Sequence, residues 1–226
     1  DYLVVVVRTA PGAGSAGISL LVIDREMEGV EATKLDKLGW RASDTGLIHF
    51  DNVKVPKENL LGNVNSGFYY IMQRFELERL VLAISANAGC EFAMEYTLQY
   101  MAEREAFGRP INRFQVLRHR IAQLASELEM SRVFTYHVCQ LYADGAYEVT
   151  KASMAKLIAT ELSDKLTYQC LQMFGGYGFM EEYKMARMFR DSRLGTIGGG
   201  TSEIMREIIS KDLIDGMDYS ILRNMG

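Results

Sequence analysis

Beyond Pro56 the chain carries one proline, Pro110, and apolar residues recur there at helical spacing over long stretches. Proline removes a backbone donor and clashes with the preceding turn, so its scarcity permits long helices and its presence at 110 must end one. The spacing predicts a first helix from about 66 to 105, with Ser66 as N-cap after Asn63-Val-Asn65 and Phe107-Gly-Arg-Pro110 as its stop. A second is expected from about 113 to 143, ending at Asp144-Gly145. A third runs from about 148 to 174 and stops at Gly175-Gly176, and a shorter fourth starts near Ser202 after Gly198 to Gly200. Long helices joined by short connections make an up-and-down four-helix bundle.

The first 60 residues have another texture. Short β-rich runs, Tyr2 to Thr9, Ile18 to Ile23, Val30 to Lys34 and Thr45 to Phe50, are separated by Gly, Pro, Asn and Asp, as in Pro11-Gly-Ala-Gly-Ser15 and Asp51-Asn52. The expectation is a mainly α chain: a partial antiparallel β domain of about four strands over 1–60, then the bundle over 61–226. The sequence opens directly on an apolar strand with neither a methionine nor a targeting segment, which reads as a fragment.

Composition narrows the function classes. A net charge of -4 with both signs interspersed offers no extended basic surface to a nucleic acid. The longest apolar runs, such as Leu3 to Val7 and Leu80 to Ala86, fall far short of the roughly 20 residues that span a bilayer. Cys90, Cys139 and Cys170 are odd in number and widely spaced, so they read as reduced core thiols of a bacterial cytoplasm or a mitochondrial matrix. His49, His119 and His137 show no ligand spacing, and no metal site is expected.

Four positions can carry chemistry. On a helix, Glu78 has Phe75, Val81 and Leu82 as neighbours, so its carboxylate is expected to emerge from an apolar stripe, partly desolvated and with a raised pKa suited to a base. The alternative is an interfacial Glu paired with Arg74 or Arg79, while Glu76 reads as an ordinary surface partner of Arg79. Gly198-Gly-Gly-Thr-Ser-Glu203 precedes a helix and could present backbone N–H groups to an anion, or be a plain loop with Thr201 or Ser202 as N-cap. Gln172-Met-Phe-Gly-Gly-Tyr-Gly178 could equally be a helix C-cap, and Arg104 a cation at a helix end.

Taken in order, Gly39-Trp-Arg-Ala-Ser-Asp-Thr45, Val53-Lys-Val-Pro-Lys-Glu-Asn59, Glu103-Arg-Glu-Ala-Phe-Gly108, Gln172 to Gly178, Arg190-Asp-Ser-Arg193 and Gly199-Gly-Thr-Ser-Glu203 resemble the acyl-CoA dehydrogenase family over essentially the whole chain. The resemblance implies the later part of that family's middle β domain followed by its C-terminal bundle, without the N-terminal helical domain and the β segment that stacks on the flavin. It implies FAD contacts at Arg104, Phe107, Gln115, Gln172, Gly175, Gly176, Thr201 and Glu203. It implies acyl-CoA contacts at Ser43, Phe75, Arg79, Tyr100, Gly198 and Gly199. Most members place a catalytic Glu where this chain has Gly199. The long-chain and isovaleryl-like branch places it on the first bundle helix before an Arg, as in Glu78-Arg79, which makes Glu78 the expected base.

The implied reaction is FAD-dependent α,β-dehydrogenation of an acyl-CoA to the trans-2-enoyl-CoA, on fatty or branched acyl chains, with a lean toward the long-chain type. Implied partners are a second copy or copies of the chain, as homodimer or homotetramer, and an electron-transfer flavoprotein. Two other classes stay open: an acyl-CoA oxidase or flavin monooxygenase relative using O2, and a non-catalytic oligomerisation module.

Overall fold

A computed structural model describes residues 1–224. The strands form where the alternating and β-branched runs stand. β1 (Tyr2–Arg8) and β2 (Ile18–Asp24) pair antiparallel from Tyr2 opposite Asp24 to Arg8 opposite Ile18, and β5 (Leu60–Leu61) joins β2 on its other edge. β3 (Val30–Lys34) and β4 (Gly46–Phe50) pair separately, Val30 opposite Phe50. The four expected strands are thus in place but belong to two sheets rather than one.

The chain divides into two compact units, and the division falls inside the first helix, between Phe75 and Glu76. In the first unit β2 supplies the buried Leu20 and Ile23. The fully buried Ser19 ties the sheet to the start of the helix: its Oγ accepts the Asn65 N–H at 2.7 Å and lies 2.7 Å from the Thr9 hydroxyl. Gly67 is required there, because a Cβ would meet the Ser19 backbone at 2.8 Å.

The second unit is helical. α1 (Gly67–Glu103) enters it at Glu76 and is followed by α2 (Gln115–Ala143), α3 (Val149–Phe174), α4 (Lys184–Ser192) and α5 (Ser202–Asp215). α1, α2 and α3 match the expected spans to within about two residues at each end, the ordinary scatter of helix boundaries, and α5 begins at Ser202, where the shorter fourth helix is expected. α4 was not foreseen. α3 packs against α2, α4 and α5, and its Ala152, Ala155 and Ala159 let neighbouring backbones approach closely. Two apolar clusters form the core: Leu80, Ala83 and Val138 with the α3 alanines, and Cys90, Met101, Leu124, Leu166, Cys170, Phe174 and Met185 with others. α5 starts at Thr201, whose hydroxyl accepts the Ile204 N–H at 3.3 Å, so Thr201 and not Ser202 is the cap. It ends at Gly216 in the left-handed region with φ 67°, a conformation glycine adopts without strain.

Candidate active site and cofactor surface

Residues 76–84 of α1 bury two charged side chains, Glu76 and Arg79, beside the core residues Leu80 and Ala83, and expose several apolar ones. Glu76 and Arg79 are 2% and 5% exposed, whereas Glu78 is exposed together with Leu77, Val81 at 51% and Ile84 at 41%. Two expectations are corrected here. Glu78 stands in an apolar stripe as foreseen, but that stripe faces out of the unit, so burial within this chain does not desolvate it. Glu76 is no surface partner: its Oε1 accepts the Glu148 N–H at 2.6 Å, at the residue that caps α3. An anion there suits the positive end of the α3 dipole. Burial lowers the affinity of the Arg79 guanidinium for its proton, and Tyr147, Tyr219, Glu76 and Glu78 oppose that effect.

The glycine loop lies against the same helix. Gly198 N–H donates to the Leu194 carbonyl at 2.7 Å, and Gly199 and Gly200 follow with φ 64° and 95°, conformations that L side chains rarely adopt. A Cβ at Gly199 would overlap Leu82 Cδ1, so this loop residue rests on the helix one turn beyond Glu78. Lys156 of α3 donates from Nζ to the Gly200 carbonyl at 2.6 Å. Sequence reading passed over Lys156; the signal was a lone cation in the run Ala152-Ser-Met-Ala-Lys-Leu-Ile-Ala159. Glu203, in the first turn of α5, is exposed, and its own backbone N–H and the Thr201 hydroxyl hold its carboxyl below the usual range.

The remaining expected cofactor residues gather at the other end of α1. Arg104, Gln172, Gly175 and Gly176 line one cavity of about 590 Å³ with Tyr100, Phe174 and Tyr177. The Arg104 guanidinium lies 5.4 Å from the Tyr177 ring centre, and a Cβ at Gly175 or Gly176 would meet nothing within 4 Å. Beside them β6 (Glu105–Ala106) and β7 (Arg109–Pro110) form a hairpin whose two turn residues are Phe107 and Gly108, with φ 53° and 75°. A positive φ is strained for a bulky residue, yet it holds the Phe107 ring 96% exposed and edge-on to Phe114. Gln115 opens α2 on the exposed side.

Tyr100 does not join Glu78. It stacks on Phe174 with ring centres 4.1 Å apart and donates to the Phe174 carbonyl at 3.2 Å, inside the Arg104 cavity. At 22 positions along α1 it stands roughly 33 Å from Glu78. Ser43 and Phe75 belong to the first unit. Ser43 sits in an exposed loop, its N–H on the Trp40 carbonyl at 3.0 Å, and shares a cleft of about 370 Å³ with Lys34, Lys37 and Arg41.

Among the described residues, no helix is long and apolar enough to cross a membrane. Residues 65–214 match the family model described as acyl-CoA dehydrogenase, C-terminal domain. The long-chain specific acyl-CoA dehydrogenase of rat mitochondria, from Rattus norvegicus, is 39% identical over 95% of this chain and 50% of its own length. The mitochondrial isovaleryl-CoA dehydrogenase of Solanum tuberosum is 40% identical over 93% of this chain and 52% of its own. A crystal structure of an acyl-CoA dehydrogenase from Geobacillus kaustophilus superposes with a TM-score of 0.92 at 40% identity, covering 95% of this chain and 57% of that one. The chain thus spans about half the length of the curated relatives it matches. A bundle of this order, a three-glycine loop seated on its first helix and six collinear motifs agree with these matches: the chain belongs to the acyl-CoA dehydrogenase family.

Proposed function

We propose that the chain carries the base and the carbonyl-binding loop of an FAD-dependent dehydrogenase that converts an acyl-CoA thioester, long-chain or branched, to its trans-2-enoyl-CoA. The observation that carries this reading is the seating of Gly199 on Leu82, one turn from Glu78. The helix thereby offers a carboxylate beside the loop position that lacks one. Glu78 accepts the pro-R α-proton through a carboxylate oxygen. An acyl chain lying over Leu77, Val81 and Leu82 would exclude water from that carboxylate and raise its proton affinity, supplying with the ligand the desolvation the chain alone does not. The Gly199 N–H, at the positive end of α5, binds the thioester oxygen and stabilises the enolate charge that develops there. Arg79, the next residue along the helix, is buried and interacts electrostatically with Glu78.

The residues present fit FAD. Open space at Gly175 and Gly176 admits a ligand to the backbone, Arg104 offers a planar guanidinium suited to a pyrophosphate, and the Phe107 ring stands exposed at the hairpin turn. Gln115 and Gln172 supply amide groups beside them, and Thr201 with Glu203 flanks the glycine loop. When bound, FAD supplies the acceptor for the β-hydride and a ribityl hydroxyl to the thioester oxygen. Glu78 and Arg104 are 26 positions apart, roughly 39 Å along α1, more than one extended FAD reaches. One FAD would not span from Arg104 to Glu78 of the same copy, so a homodimer or homotetramer would set the Arg104 end of one copy beside Glu78 of another. An electron-transfer flavoprotein then takes the electrons.

Anaerobic addition of long-chain and branched short-chain acyl-CoA to the flavin-loaded enzyme tests this. Bleaching of the visible flavin band in the wild type and its loss in Glu78→Gln is the expected result. A flavin that stays oxidised with both substrates overturns the reading, and oxygen consumption during turnover moves it to the oxidases.

A further inference from the structure

We infer that Lys156 is a positioning residue for this site: from inside α3 it clamps the Gly200 carbonyl and so holds the three-glycine loop in the conformation that presents Gly199. The inference rests on the dehydrogenase reading above. Lys156 is 0% exposed and is the one charged side chain among the buried residues of α3. Its neighbours on that face, Ala152, Ser153, Ala155, Ala159 and Thr160, are small and leave the long side chain room to run to the loop.

The arrangement is costly for stability alone. Burial disfavours the ammonium, and the nearby Arg79 guanidinium, also buried, repels it; Glu161 and Glu203 offset this only in part. An uncharged side chain of the same length would fill the space without those penalties. What the ammonium supplies is a directed, charge-assisted hydrogen bond to a loop that needs one. Three successive glycines have wide backbone freedom, and a flip of the peptide units around Gly199 would turn its N–H away from a bound carbonyl.

Docking of α5 does not depend on this contact. Arg206 reaches Glu161 of α3 at 2.6 Å, Met205 is fully buried, and Gly195 sits against Thr160 so closely that a Cβ would lie 3.1 Å from the threonine Cβ. Those anchors hold the segment to α3 on both sides of the glycines. Lys156 addresses the carbonyl between them, which separates a role in loop conformation from a role in folding.

The test uses the flavin-loaded enzyme with Lys156→Met, Lys156→Gln and Lys156→Arg. Four quantities are read: Tm, acyl-CoA Kd, the rate of flavin reduction at saturating acyl-CoA, and amide exchange of the Gly195–Ser202 segment. Lys156→Met should keep or raise Tm, because a buried charge is replaced by an apolar isostere. Its flavin reduction should slow about 10- to 100-fold while Kd moves less than about threefold, the pattern of a loss confined to the transition state. Loop exchange should rise about tenfold with α2 unchanged. Lys156→Arg, which keeps charge and donors, should lie between wild type and Met in both rate and exchange. A wild-type reduction rate in the Met or Gln variant, or equal loss of rate in the Arg and Met variants with unaltered loop exchange, overturns the positioning role and leaves the dehydrogenase reading standing. A wild-type flavin that acyl-CoA fails to reduce overturns that reading instead and with it the purpose assigned to the clamp, while the exchange arm still reads the clamp itself.

Discussion

α3 and the 76–84 stretch of α1 are both helical and both bury apolar residues, Leu80 and Ala83 on α1, but they distribute their charges and their exposed apolar groups differently. On α3 the small and apolar residues Ala152, Ala155, Ala159, Leu166 and Cys170 lie inside, and charged residues such as Lys165 lie outside. On α1 the buried positions include Glu76 and Arg79, and the exposed ones include Leu77, Val81 and Ile84. A helix whose apolar period agrees with its buried face is explained by packing. Exposed apolar residues around a carboxylate, as at Leu77, Val81 and Ile84 beside Glu78, are not explained by packing within the unit. Lys156 is the exception on α3, and its Nζ leads directly to the loop lying on this part of α1.

If the comparison is right, chemistry and stability separate along the two helices. The largest expected effect is Glu78→Gln: a fall in flavin reduction of about 100- to 10,000-fold, the range of general-base contributions, with Tm unchanged because the residue is exposed. A variant that keeps a tenth or more of the wild-type rate removes Glu78 as the base. Moving the carboxylate to the glycine loop is no simple rescue, since a side chain at Gly199 must displace Leu82 and accept φ 64°. The mirror-image variant is Leu166→Ala on α3. It empties a fully buried position in the main core and should cost about 3 kcal/mol and roughly 6 to 12 °C in Tm, with the flavin-reduction rate of the folded enzyme intact. Parallel loss of rate and stability in both variants would dissolve the distinction.

The end of α1 offers a finer cut. Arg104 is exposed, so Arg104→Ala should leave Tm within about 2 °C while weakening FAD by about 1.5 to 3 kcal/mol, the usual worth of a hydrogen bond to a charged group. Flavin retained through gel filtration as tightly as in the wild type reduces Arg104 to a helix-end cation.

These contrasts also show what the sequence made legible. Helix and strand positions follow from local signals: the glycines after Asp144 and Phe174, the proline at 110, the β-branched runs before 60. Division of the strands into two sheets depends on pairing across the chain, as of Leu21 with Leu60, which no local pattern encodes. α4 was hidden because Lys184–Ser192 is short and strongly polar, and was read only as part of a motif. Spacing placed Glu78 among apolar neighbours correctly but could not tell which side of the helix was inside, since both faces of 76–84 mix charge and apolar groups. Tyr100 stands at the Arg104 end of α1, far from Glu78, a separation that helix length alone makes legible.

The smallest effect tests the ordinary face of α3. Lys165 Nζ lies 2.6 Å from Glu127 Oε1 of α2, with the Lys half exposed. The Lys165 hydrogen bond, with that of Gln123, holds the Glu127 carboxyl below its usual range. A carboxylate whose folded pKa is depressed contributes stability that is fully present above its unfolded pKa, about 4.3, and is lost as pH falls through the lower folded value. Lys165→Met should therefore lower stability by no more than about 1 kcal/mol at pH 7, in line with other solvent-exposed pairs. In acid, once Glu127 is protonated in both variants, the two melting curves should converge. A difference that persists unchanged below the carboxylate range would show that Lys165 acts by packing its stem across the α2–α3 seam and not by its charge, and the outer face of α3 would then be less ordinary than its exposure implies.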